Sequence, residues 1–445
     1  MIQIIGKYKY DSLFFLFKFF FKLKIDFLAS IFLILSIKEF KELNNKNSKK
    51  KILIFFKTGG IDDLRFAFSK YRNHNFKFYH MQRRFFRVIF DNYFKFSNLR
   101  DYHYIIENKK LEIALKNYNH KISKYIKLIN RYYHFQAYVS FNPFYMTDRE
   151  IQKICSEFKI KFISFHKECV GSPLEDKIFE YLYKNKIEKF MGSSISVYSE
   201  KEKNLIVKSK FAKKNQVVVT GSPRCDISYS YRKLKPDEKT IVYYMIENYR
   251  GAPWHLIETL SDTAKNNLIR KIGYSKSFFK INWKELSKKT LKYCINYARK
   301  NKNIKLIIKG KQISHQKNDL PNYLPENITF VNSGAGHHLL KKAKIVIGFN
   351  TTAVLEGVLA NRDIIIPYFD FKKMRKNKDL VMDFNTEQYA VQSEDKFYKK
   401  LNFLLSKKYH YRELNKKEKK ILEKFVGNSD GNSSKRLSDF LNNEI

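Results

Sequence analysis

Along the chain, hydrophobic positions switch between two signatures. Short β-branched or aromatic runs at Ile52–Phe56, Ala137–Phe141, Lys161–Phe165 and Gln216–Thr220 end in small or polar residues. Helical spacing of apolar positions follows them, from about Asp62 and over Asp148–Phe158. A second series repeats the pattern, with strands predicted at Thr240–Met245, Ile304–Ile308, Ile328–Val331, Ile345–Ile347 and Asp363–Pro367. Its helices are predicted over Trp283–Lys300, Gly336–Lys342 and Thr352–Ala360, and a charged helical tail runs from about Glu394 to Ile445. Strands alternating with helices form parallel sheets covered on both faces. Two such sets in succession predict an α/β protein of two domains facing a cleft, joined near 222–238.

The N-terminus reads differently. Leu13–Ser36 is heavily apolar but interrupted by Lys18, Lys22, Lys24 and Asp26. A spanning helix would place some of these charges in hydrocarbon, at about 2.5–3.5 kcal/mol each near the centre. An in-plane amphipathic helix avoids that cost, because Lys18, Lys22 and Asp26 fall at i, i+4 and i+8 and leave a broad Phe/Leu face for lipid. A buried helix of the first domain is the alternative. The polar stretch Asn44–Lys51 then reads as a linker, so removal of residues 1–48 is expected to leave the rest folded.

Charge sharpens the picture. The 445 residues carry 87 Lys and Arg against 43 Asp and Glu, a net charge of +44, and this favours anionic partners. With 44% hydrophobic and 16% aromatic residues, general disorder is excluded. Cys155, Cys169, Cys225 and Cys294 form no C-x-x-C pair, which argues against a disulfide framework or zinc module and for a reducing cytosol. No signal-peptide pattern is evident.

Ligands of open parallel sheets bind beyond the carboxyl ends of the strands, so the turns there carry the candidate chemistry. Three in the second half are rich in small or basic residues: Lys309-Gly310-Lys311, Asn332-Ser333-Gly334-Ala335-Gly336 and Gly348-Phe349-Asn350-Thr351-Thr352. The last opens a helix containing Glu356, and unpaired N–H groups at such a helix start can hold phosphate. Ordinary capping by Asn and Thr reads equally from that turn alone. His337 and His338 follow the second turn. In the first half, His166 and Glu168 follow the strand ending at Phe165; either can serve as a general base, or Glu168 can orient the imidazole. Arg224 and Asp226 stand at the junction as a structural pair or as ligands. Lys57-Thr58-Gly59-Gly60 lacks Walker spacing and reads as a turn on the acceptor side. There is no D-x-D, H-E-x-x-H or G-x-S-x-G, and no metal is expected.

The order N-T-T-x-x-x-E-G and D-I-I-I-P, with V-V-V-T-G-S-P-R-C-D at 217–226 and A-K-I-V-I-G-F-N-T-T-A-V-L-E-G at 343–357, resembles bacterial surface-carbohydrate biosynthesis transferases of the GT-B fold. These are related to CDP-glycerol glycerophosphotransferases and UDP-N-acetylglucosamine 2-epimerases. The resemblance covers roughly residues 135–370. It implies two Rossmann-like domains: an acceptor domain at 49–230 and a nucleotide-donor domain at 231–395, flanked by the membrane-associating segment and linker at 1–48 and a helical tail at 396–445. Asn350, Thr351 and Thr352 would then meet the donor diphosphate and Glu356 the ribose. Lys309 would neutralise the leaving phosphate, with Ser333, Gly334 and His337 completing the donor site and His166 or Glu168 acting on the acceptor. The sequence departs from the glycerophosphotransferases in lacking His-Pro after the strand bearing Lys309. The paired acids and His of the epimerases are not recognisable either.

The implied function is transfer of a sugar or polyol phosphate from a CDP- or UDP-linked donor to a surface polysaccharide or lipid-linked glycan. No further cofactor is expected, and the expected location is the inner face of the cytoplasmic membrane, peripheral on its anionic surface. A nucleic-acid-binding protein fits the charge but lacks any recognisable module, so no nucleic-acid partner is expected. A catalytically inactive glycan- or nucleotide-binding homologue remains open.

Overall fold

The computed structural model describes residues 2–44, 48–56, 60–71, 74–95, 109–167, 170–246, 262–273, 283–311, 318–369, 378–382 and 386–445. Thirteen strands form two sheets among these residues. In the first are β1 (Lys38–Glu39), β2 (Lys50–Phe56), β3 (Phe76–Gln82), β4 (Ala137–Ser140), β5 (Lys161–Phe165), β6 (Ser194–Val197) and β7 (Val217–Val219), in spatial order β1-β3-β2-β4-β5-β6-β7. All its pairs are parallel except β1 with β3. The second holds β8 (Thr240–Tyr244), β9 (Lys305–Lys309), β10 (Ile328–Val331), β11 (Ile345–Ile347), β12 (Asp363–Pro367) and β13 (Ala390–Val391), ordered β10-β9-β8-β11-β12-β13 and parallel throughout.

Both orders reverse direction part-way. The chain builds outward from β2 to β3 and returns to lay β4 on the other side; it builds from β8 to β10 and returns with β11. Each reversal leaves a crevice at the carboxyl ends of two adjacent strands, where the crossover helices diverge. The crevices lie between β2 and β4 and between β8 and β11.

Alternation sorts the core. Ile52 and Ile54 of β2 face one cluster, while Leu53 and Phe55 face the other. The Ile52 side is covered by the helix Gly60–Lys70 and by the last helix of the chain, Ser433–Glu444, whose Leu437, Phe440 and Leu441 are buried there. The charged tail therefore returns to the first sheet. Asp226 secures that return: its carboxylate accepts from the Ser433 and Ser434 amides at 3.0 and 2.7 Å and from Asn428 at 2.6 Å. A Cβ on Gly221 (φ +77°) would meet Ser433 Oγ at 2.1 Å, so only glycine fits that crossing.

At the N-terminus one long amphipathic helix does not form. Helices Ile2–Lys22 and Asp26–Leu35 make a hairpin. Lys24 takes φ +60°, and bonds from Lys24 N to Phe21 O and from Ile25 N to Phe20 O close the first helix. Asp26, expected on a polar stripe with Lys18 and Lys22 that leaves a Phe/Leu face for lipid, instead accepts from Lys121 at 2.5 and 2.7 Å. The hairpin is packed onto the first domain. Phe17 lies 5.2 Å from Phe85 and 6.2 Å from Tyr125, the Tyr10 hydroxyl accepts from Gln82 N, and Arg84 pairs with Asp11 at 2.7 Å. Residues 38–39 then add edge strand β1, so the described hairpin and the residues up to 44 are built into the first domain.

Candidate active-site cleft

The helix after β2, the turns after β5, β6 and β7 and the helix after β11 converge on one buried charge cluster. Asp63, in the first turn of the helix after β2, is buried; it accepts from the Tyr198 hydroxyl at 2.7 Å and from the Arg224 backbone N–H at 3.3 Å. The Arg224 guanidinium donates to Tyr198 Oη at 3.2 Å, and its Nε stands 4.0 Å from Asp63. Tyr198 chiefly, then Asp63 and Glu356, hold Arg224 charged.

Glu356 comes from the opposite half. It is buried one turn into the helix Thr352–Leu359 and interacts with Arg224, Asp63 and Tyr244. Burial pushes its carboxyl above the usual range, Asp63 adds to the rise and Arg224 opposes it. Burial likewise raises Asp63, against Arg224, Tyr198 and Lys167. Two elevated carboxyls therefore flank one guanidinium across the two halves. Perturbed groups gathered in a crevice are the usual mark of a functional site.

The donor-side turns divide by role. Asn350 (φ +47°) is buried, and its carboxamide donates to Leu380 O at 2.7 Å and accepts from Met382 N at 2.9 Å. Its side chain builds the turn, so a contact of Asn350 with a diphosphate would fall to its backbone. Thr351 is the N-cap and accepts from Ala353 N at 3.4 Å; Thr352 begins the helix beside it, and both are partly exposed. Arg232 closes the other end of this helix, donating to Val358 O and Leu359 O at 3.1 and 3.0 Å.

Lys309 donates to Gly310 O at 3.0 Å and Ser333 O at 3.2 Å, tying the β9 and β10 turns together, and burial lowers its pKa. Among the described residues, no atom beyond its chain neighbours lies within 4 Å of where a Cβ of exposed Gly334 (φ +70°) would stand, so the turn is uncrowded there. His337 is buried with its ring 5.5 Å from Phe66 of the first half, and its Nε2 has no hydrogen-bond partner among the described residues. Burial, with His338 and Arg224, pushes His337 down to about 4. It therefore offers a neutral imidazole at physiological pH and no charge for a phosphate. His338 is exposed, with Nδ1 3.5 Å from the Tyr231 hydroxyl.

On the acceptor side, His166 is buried against Phe144, with its backbone N–H bonded to Ser196 O at 2.8 Å. The carboxylate facing it is Glu202, 3.3 Å from Nε2, from the Ser199-capped helix Glu200–Lys208. Glu168 lies outside the described residues, as do Lys57, Thr58 and Gly59. Lys167, next to His166, is within electrostatic reach of Asp63 and so ties this turn to the cluster. Asp63, Tyr198 and Glu202 escaped the sequence reading. Asp62-Asp63 and Ser199-x-x-Glu202 look like ordinary helix starts, and 135 residues separate Asp63 from Tyr198. Arg224 and Asp226 part company: the first enters the cleft and the second caps the last helix.

Two doubly wound sheets with their switch-point crevices turned towards one shared cluster define a GT-B-type α/β fold. Among solved structures, the wall teichoic acid polymerase TagF shares it, with a TM-score of 0.50 and 10% identity over 99% of this chain and 98% of that one. UDP-GlcNAc 2-epimerases are also structural neighbours. The one from Methanocaldococcus jannaschii has a TM-score of 0.47 and 13% identity over 88% of this chain and 99% of that one. The one from Neisseria meningitidis, bound to UDP-GlcNAc, has a TM-score of 0.45 and 10% identity over 88% and 99%. No family model and no curated protein matches the sequence.

Proposed function

We propose that this protein is a transferase. It moves a sugar or polyol phosphate from a CDP- or UDP-linked donor to a surface polysaccharide or lipid-linked glycan at the inner face of the cytoplasmic membrane. The observation that carries this reading is the meeting of Asp63, Arg224 and Glu356, contributed by both halves, at the switch points of two parallel sheets. The donor phosphates sit at the Thr351–Thr352 helix start, with Lys309 and Arg224 supplying positive charge. Glu356 accepts ribose hydroxyls, and the open Gly334 turn with His337 receives the remainder of the nucleotide.

The acceptor hydroxyl attacks the anomeric carbon, or the phosphorus of a polyol phosphate. A new bond forms from the acceptor oxygen as the bond to the nucleotide's phosphate oxygen breaks, and the electron pair leaves with the nucleotide. His166 takes the hydroxyl proton, and Glu202 balances the imidazolium charge. Asp63 is the second candidate base, favoured by its place between the halves.

Thermal-shift measurements against CDP, UDP, GDP and CMP test the donor site, since a ligand at a hundredfold excess over its dissociation constant stabilises by about 2.7 kcal/mol. Glu356→Gln should then weaken the preferred nucleotide by roughly tenfold, the value of a charge-assisted hydrogen bond. No shift with any nucleotide, or a loss below about twofold in this variant, would sink the donor assignment.

A further inference from the structure

The N-terminal hairpin buries one face of each helix and leaves a hydrophobic face on the other. Among the described residues, Ile2–Lys22 buries Tyr10, Phe17 and Phe21, and Asp26–Leu35 buries Ala29, Ser30 and Leu33. Phe15 and Phe19, with Leu23 just beyond, form a stripe at i, i+4 and i+8 on the first helix. Phe27, Ile31 and Leu35 form the same stripe on the second. A step of two residues turns a helix by about 200°, so each stripe stands opposite its own buried row. The helices lie side by side, with Phe20 stacked on Phe32 at 5.5 Å, and their buried rows enter one core. Both stripes therefore point away from the domain in the same direction. Their crests are the most exposed, Phe15 at 66% and Phe27 at 74%.

Charge says what covers this face. Lys18, Lys22 and Lys24 are exposed around the first stripe and the turn, and among the described residues no ion pair engages them. The hairpin's Asp11 and Asp26 are held by Arg84 and Lys121. The rim is thus basic without local compensation. A second copy meeting this face across a two-fold axis would set lysines against lysines. Anionic headgroups pair with them, while the Phe and Leu crests reach the acyl boundary. Among the described residues no helix is long and apolar enough to cross a membrane, which agrees with a hairpin lying in the interface plane.

We propose that the outer face of this hairpin, with the Phe15–Leu23 and Phe27–Leu35 stripes and the Lys18, Lys22 and Lys24 rim, docks the protein onto an anionic lipid bilayer. The proposal rests on the hairpin and not on the donor chemistry, and nucleotide thermal shifts on the same samples keep the two apart.

Flotation of the full chain with phosphatidylcholine vesicles, with and without phosphatidylglycerol, is the test. The wild type should float with the phosphatidylglycerol vesicles, and salt should weaken but not abolish that binding. Phe15→Glu/Phe27→Glu should reduce partitioning by roughly a hundredfold, about tenfold for each apolar anchor withdrawn, with melting temperature and nucleotide response unchanged. Phe27→Trp adds a readout that does not depend on losing binding, because its added emission should be quenched by brominated acyl chains. Equal flotation of wild type and the double glutamate variant overturns the proposal, as does absence of quenching. A wild-type dimer that this variant converts to monomer, without vesicle binding, would assign the face to self-association instead.

Discussion

Replacing Arg224 with Met tests the electrostatic logic of the cleft. The guanidinium stands 4.0 Å from Asp63 and within electrostatic reach of Glu356, and Lys167 is a further positive influence on Asp63. Methionine keeps most of the apolar stem, the backbone N–H to Asp63 and the Tyr198–Asp63 bond, and removes the charge together with the guanidinium's bond to Tyr198 Oη. Stripping the partner from a fully buried charge costs about 3–5 kcal/mol. Arg224 is 26% exposed and its Nε stands 4.0 Å from Asp63, so we expect ~1–2 kcal/mol at neutral pH. The pH dependence carries more information. Both carboxyls already lie above their ordinary range, and Arg224 is the largest influence opposing that rise at each. Without it they rise further, and the native state holds protons that the unfolded chain releases at about pH 4. Stability is then fullest below that pH and falls as pH climbs towards the folded pKa, by about 1.4 kcal/mol per pH unit for each extra bound proton. Urea unfolding followed by far-UV circular dichroism, from acid to neutral pH, measures the slope. Arg224→Met should be steeper than wild type, and adding Asp63→Asn should flatten it and recover part of the loss. Identical slopes for wild type and Arg224→Met, or a double variant no more stable at neutral pH than the single, would refute the reasoning.

Three further tests concern the acceptor side and the N-terminus. His166→Ala should lower turnover by roughly 100- to 10,000-fold with nucleotide affinity unchanged, measured by steady-state kinetics and thermal shift. If Asp63→Asn does this and His166→Ala does not, the base is Asp63. Glu202→Gln should lower kcat by about 10- to 100-fold without changing KM, with Glu202→Asp restoring part of it; an effect on melting temperature alone would leave Glu202 structural. Deleting residues 1–43 should leave the chain unfolded or insoluble. Phe17, Phe21, Ala29 and Leu33 are part of the first domain's core, and each large side chain contributes about 1.5–3 kcal/mol against a total stability of roughly 5–15 kcal/mol. A soluble truncated chain with a near-native melt would contradict this packing.

Much of the architecture is written locally. The runs ILIFF, FISF, VVV and DIIIP are β-branched or aromatic and end at turn residues, so the strands and their parallel order follow from neighbouring residues alone. The turns holding Thr351, Thr352, Lys309 and Gly334 were legible for the same reason: their positions follow from where strands end. β3 and β6 were not, because FKFYHMQ and SISV carry polar residues that weaken the apolar run, and only pairing with β2 and β5 commits them to the sheet.

The tertiary structure decided which polar groups meet. The sequence marks Asn350 as a phosphate contact, and only the fold shows that its carboxamide closes on Leu380 and Met382. Asp63, Tyr198, Arg224 and Glu356 belong to four separate elements, and no local pattern records their convergence at two switch points. Glu202, three residues after the Ser199 cap, faces His166 only through the tertiary fold. The N-terminal segment shows the division most plainly. Its sequence determined that Phe and Leu outnumber what a free surface helix needs, with lysines interspersed. Only the break at Lys24 and the docking onto Phe85 and Tyr125 determined which side of each helix went into the core. Amphipathicity depends on the angle between residues on one helix, whereas burial depends on what lies across from it, and that second surface comes from distant parts of the chain.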